Sequence, residues 1–183
     1  MKRIPIVKLE DLTPDQRRAY DSIAATRDGQ VLEVFMALMH SPELSRRTQY
    51  LGEYLRYFNC LEPNLSELAI LVTARHWDCD YAWHYHEPDA LAGGLSPEII
   101  AAVKERRQPD FKDPDEAAVY AYVYELQVER HVSDDTYQKV VDALGVTAIA
   151  ELTALSGYYT MMAMTLNEHR VPLPAGAKRQ LSG

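Results

Sequence analysis

Apolar residues recur along this chain at three- and four-residue intervals, and proline or glycine falls where each run begins or ends. Thr13-Pro14, Ser41-Pro42, Ser96-Pro97 and Asp113-Pro114 each place a capping side chain before a proline at the first helical position, where its missing N–H costs nothing. Asn64 with Glu67 three residues on has the form of a capping-box variant, Ser133 precedes Asp134-Asp135, and Thr147 follows Gly145. Gly29, Gly93-Gly94 and Gly145 suit helix stops. The pattern predicts helices over 14–28, 30–40, 42–61, 64–77, 79–92, 97–107, 114–131, 133–144 and 147–169. Tyr120, Tyr122 and Tyr124 could be read with period two, but the strong helix entry at Pro114-Asp115-Glu116 makes this stretch helical.

The expected fold is therefore all-α, a bundle of eight or nine helices. A faint echo relates Leu65–Leu71 to Ile149–Leu155 at an offset of 84 residues and raises the alternative of two similar helical halves. Chance likeness of two amphipathic helices explains it at least as well. Cys79 corresponds to Ala163 and His86 to Arg170, so only the first copy would carry a Cys/His pair.

Composition narrows the class. With 183 residues, 47% hydrophobic and 25% charged, the chain is expected to form one domain with its own core. Nineteen Lys and Arg against 27 Asp and Glu give a net charge of −8, with no basic run longer than a pair. Nucleic acid is excluded as an expected partner, since phosphate binding needs a basic face. The N-terminus never builds a signal-like apolar run, and Leu152–Leu166 is too short for a bilayer and interrupted by Thr and Ser. A cytoplasmic protein without a membrane partner is expected. Two cysteines, Cys60 and Cys79, make no disulfide framework. Tyr50, Tyr54, Tyr57 and Phe58, like Tyr120 and Tyr124, read as core or subunit interface; Met36, Met39, Met161, Met162 and Met164 read as core filler, and Cys60 as packing at a helix end.

Candidate chemistry lies between Glu67 and His86, because three of six histidines and one cysteine fall within residues 76–86. On a helix begun by an Asp78 N-cap, Cys79, Ala82, Trp83 and His86 share a face, with Cys79 and His86 about 10 Å apart along the axis. His84 points away. A thiol in a helix's first turn is favoured as thiolate by the macrodipole, whereas most free cysteines are buried hydrophobes. Glu67 can reach this face only if the chain turns near Trp77-Asp78; its bland alternative is the capping box with Asn64. No metal site is expected, since His84 and His86 diverge and His-x3-His or Cys-x2-Cys spacing is absent.

The stretch Glu67-Leu-Ala-Ile-Leu-Val-Thr-Ala-Arg75, then Cys79-Asp-Tyr-Ala-Trp-His-Tyr-His86, then Ala92-Gly-Gly-Leu-Ser-Pro-Glu98, resembles the carboxymuconolactone decarboxylase and alkylhydroperoxidase D superfamily, over most of residues 30–170. That resemblance implies an all-helical protein assembled as dimers, trimers or hexamers, acting on a small molecule with no cofactor. It assigns catalysis to Glu67, Cys79 and His86, with Tyr81, Trp83 and His84 toward substrate. The second motif cysteine is Ala82 here, so two-cysteine cycling through Cys79 would need Cys60 or an external thiol.

Three functions follow. The first is acid–base decarboxylation or related turnover of a lactone or organic acid in aromatic catabolism, with His86 as proton donor and Glu67 as its orienting partner. The second is a thiol peroxidase or reductase, which requires a Cys79 thiol well below its ordinary pKa. The third is a non-catalytic oligomeric binding protein, favoured if Tyr81, Trp83 and Tyr85 fill the pocket.

Overall fold

The computed structural model describes residues 3–27 and 29–181. Among the described residues, a short 3-10 turn at Leu9–Asp11 is followed by eight helices: α1 Pro14–Ala24, α2 Glu33–Leu38, α3 Pro42–Tyr57, α4 Pro63–His76, α5 Asp80–Ala92, α6 Pro97–Lys104, α7 Pro114–Val128 and α8 Asp134–His169. Among the described residues there is no strand. The fold is all-α, as the sequence predicts.

Helix starts fall where capping residue and proline meet. Thr13 accepts from the Gln16 N–H while Gln16 returns the bond, Ser96 accepts from Ile99, and Asp113 accepts from Asp115. Ser41 starts α3 without a side-chain cap bond. Helix ends are less well marked in the sequence. The first helix stops at Ala24, short of Gly29, and the third at Tyr57 rather than residue 61. The two helices expected around Gly145 meet at that residue, where φ +83 turns the chain before the helix resumes.

The chain forms two compact units, one comprising the segment up to Phe58 with Thr165–Pro172, the other Asn59–Met164 with the segment from Leu173. Both copies of the 84-residue echo lie in the second unit, so these units are not the two similar halves the echo raised. In the first unit α3 packs against α1 and α2, burying Ala19, Ile23, Phe35 and Leu55. Tyr50, Tyr54, Tyr57 and Phe58 stay exposed, as do Met161 and Met164 on α8, which removes core filling as their role.

In the second unit α4 is the central helix, packed against α5, α6 and α7. Every residue from Leu65 to Arg75 is buried, the behaviour of a helix apolar on all sides. Its internal hydroxyls are satisfied locally: Ser66 donates to the Glu62 and Pro63 carbonyls and Thr73 to that of Ala69. At the other end of the α4–α5 pair, a Cβ on Gly93 would lie 3.2 Å from the Pro63 carbonyl carbon. An 18-residue window of α8 reaches mean hydropathy 1.4, a length and composition that membrane spans share with core helices. Its inward residues Leu152, Leu155, Tyr159 and Leu166 are buried within the protein.

Candidate active site

The reversal between α4 and α5 builds the site. Trp77 caps α4, and Asp78 follows in the left-handed region at φ +47. The Asp78 carboxylate is committed to two guanidinium groups, pairing with Arg75 and accepting Arg106 Nη2 at 2.8 and 2.9 Å. Asp78 therefore does not cap α5, as the sequence suggested; Cys79 is the N-cap. The turn still comes where it was required, and it lays α5 back along α4.

That packing brings Glu67 and His86 together. His86 Nδ1 lies 2.7 Å from Glu67 Oε2, both side chains largely buried. An ionised carboxylate only accepts, so Nδ1 carries the proton in this bond and Nε2 is the ring nitrogen left for other chemistry. The Tyr159 ring stands edge-on to the imidazole, centroids 4.9 Å apart, and fixes its tilt. Glu67 does not serve the capping box with Asn64. Pro63 occupies the first turn after an N-cap at Glu62, so Asn64 lies inside the helix and its amide donates to Glu116 instead.

Cys79 is fully buried. Burial pushes its thiol up to about 11, outweighing the Ala82 and Tyr81 N–H groups that point at the sulfur; the neighbouring Asp80 charge adds to the rise. The thiolate expected at a helix N-terminus is therefore disfavoured, since desolvation exceeds the dipole effect. Cys60, expected to pack at a helix end, is exposed in the loop beyond α3; its N–H donates to Glu151 at 2.6 Å.

The remaining candidates divide. Tyr81 is buried and tilts against Tyr85 at 5.0 Å. Trp83 is wholly enclosed, its Nε1–H has no acceptor among the described residues, and Lys104 Nζ stands 5.7 Å from the ring centroid. His84 is half-buried and meets Tyr85 edge-on. Pro88, one turn beyond, leaves α5 helical as far as Ala92.

Several neighbours escape sequence reasoning. Tyr159 arrives from α8, with no local signal. Asp89, three residues after His86 and so on its helix face, joins Glu67 and His86 in a trio whose ligand-type atoms lie within 4.8 Å of one another. In that trio Nδ1 and Oε2 already share a proton. Asp80 anchors the segment 179–181: Oδ1 accepts the Gln180 and Leu181 N–H groups at 2.6 and 2.9 Å, and Oδ2 accepts Arg179 Nε at 2.7 Å.

Residues 42–125 match the family model described as the carboxymuconolactone decarboxylase family. No protein of curated function matches the chain by sequence. Among solved structures, the debrominase Bmp8 in its apo form superposes with a TM-score of 0.72 at 14% identity, covering 92% of this chain and 90% of that one. A cysteine-to-alanine variant of the same debrominase, in complex with 2,3,4-tribromopyrrole, gives 0.74 at 13% identity over 94% and 91%. A protein of unknown function from Agrobacterium tumefaciens, named for AhpD-type antioxidant defence, gives 0.66 at 19% identity over 74% and 94%. At these identities the likeness is one of fold.

Proposed function

Since residues 42–125 match the model of the carboxymuconolactone decarboxylase family, we propose that the chain is an acid–base enzyme that decarboxylates an unsaturated lactone acid or turns over a related small organic acid from aromatic breakdown. The 2.7 Å Glu67–His86 bond carries this reading. Breaking the bond to the carboxylate releases CO₂ and leaves its electron pair in the lactone as a dienolate. His86, doubly protonated and oriented through Nδ1 by Glu67, delivers a proton from Nε2 to carbon, and water restores it. The enclosed Trp83 indole backs the pocket and takes no part in the proton transfer. Cys79 shapes the pocket. In the same proposal the enzyme is a cytoplasmic homo-oligomer, supported by the exposed aromatic row Tyr50, Tyr54, Tyr57 and Phe58.

The test is CO₂ release from carboxymuconolactone. His86→Ala and Glu67→Gln should each lower kcat by at least about a hundredfold, the usual scale of a general acid. Cys79→Ser should keep most turnover. Wild-type rates in His86→Ala would overturn the assignment.

A thiol reaction at Cys79 is the second reading, favoured by the Tyr81 and Ala82 N–H groups on the sulfur. It would use an external thiol as reductant, because the second motif cysteine is Ala82. An alkyl hydroperoxide and 2,3,4-tribromopyrrole are the probes; turnover of either that vanishes in Cys79→Ser would establish it.

A further inference from the structure

A cavity of about 160 Å³ lies among α4, α6 and α7, and none of its lining residues is Glu67, Cys79 or His86. Its floor is buried, formed by Val72, Val103, Tyr120 and Arg75, while Arg106, Tyr124 and Val128 form an exposed rim. Cavities of about 150 Å³ accommodate one benzene ring. Both Tyr120 and Tyr124 line it, their rings stacked on each other at 5.8 Å with 21° between their planes, so part of its wall is aromatic.

Charge sets the rest of the ligand. Arg75 and Arg106 share the carboxylate of Asp78, and the nearby Asp80 is held by Arg179, so Asp78 is already divided between two guanidinium groups. Burial, with Arg106 nearby, holds His76 below its ordinary value, so it adds no charge at neutral pH. Only Nη2 of Arg106 is engaged with Asp78; Nε and Nη1 have no partner among the described residues. A guanidinium with one nitrogen anchored and two free is set to receive a carboxylate at the rim.

We propose that this cavity binds a single-ring carboxylate, the ring against Tyr120 and the valines and the carboxylate on Arg106. The site is separate from the Glu67–His86 pair and does not depend on the decarboxylase reading.

Benzoate is the probe, with benzamide as its neutral isostere, titrated calorimetrically into the full chain. Benzoate should bind saturably, and benzamide at least about tenfold more weakly, the ratio expected for a lost charge-assisted pair. Arg106→Gln should weaken benzoate by a similar factor while Asp78 keeps Arg75. Val128→Trp, at an exposed rim position, should block entry, and His86→Ala should bind benzoate as wild type does. Undiminished binding in both Arg106→Gln and Val128→Trp, loss of binding in His86→Ala, or no saturable binding below about 10 mM would overturn the proposal.

Discussion

Replacing Cys79 by alanine tests the balance between burial and the helix terminus directly. With its thiol moved from an ordinary 9.0 to about 11, Cys79 carries about a hundredfold less thiolate than a free cysteine at neutral pH. Alkylation by iodoacetamide, followed by intact mass and peptide mapping, should therefore modify the exposed Cys60 well before Cys79. The same shift makes a stability prediction. Because the folded value lies above the unfolded one, this contribution is fully present below pH 9 and is lost as pH rises through about 11. At pH 10 the unfolded thiol is mostly ionised and the folded one is not, so wild type should lose about 1.4 kcal/mol more than Cys79→Ala between pH 7 and pH 10. Urea unfolding of both proteins at the two pH values measures the difference, and comparing them cancels the titration of other groups. Equal losses in the two proteins, or Cys79 labelled ahead of Cys60, would refute the reasoning and put the thiol reaction at Cys79 ahead of acid–base chemistry.

Other substitutions probe the scaffold. Asp80→Asn should cost about 1.5–3 kcal/mol by weakening bonds to Arg179, Gln180 and Leu181, and should expose residues 173–181 to limited proteolysis. Burial raises the Asp80 carboxyl, but the Leu181 N–H, Arg179 and the Gln180 N–H together hold it below 3.8; that stability should fade in wild type as pH falls below this value, and not in Asp80→Asn. Gly145→Ala should lower stability by about 1–2 kcal/mol in thermal unfolding: a Cβ there meets nothing within 4 Å, but φ +83 with ψ 171 is a backbone conformation that residues other than glycine rarely adopt. Gly93→Ala, pressing on Pro63, should cost about 1–3 kcal/mol, and Gly93→Ser should be no better tolerated.

Helix starts were legible because Pro14, Pro42, Pro97 and Pro114 carry their meaning locally, in a fixed φ and a missing donor. Helix ends were less so: residues 58–61 contain no glycine, only the weaker stop residue Asn59, and α3 gives way at Phe58. Glu67 was ambiguous because its spacing from Asn64 imitates a cap, and only the N-cap at Glu62 moves Asn64 into the helix. The spacing from Cys79 to His86 gave the shared helix face but not the burial that decides the thiol's state, because burial is contributed by other helices. Tyr159 and the arginine-rimmed cavity left no local trace, since their neighbours come from separate helices.

The Asp80 anchor also has a consequence for synthesis. The N–H groups that complete its coordination belong to residues 100 and 101 positions later in the chain. At about 5–20 residues per second, they leave the ribosome some 5–20 s after Asp80 itself. The pairing of α4 with α5 is short in range and available early, whereas the first turn of the helix bearing His86 must wait for a distant segment before its carboxylate is satisfied. A nascent chain therefore passes through a stage in which the Glu67–His86 pair is within reach while Asp80 is still open to solvent.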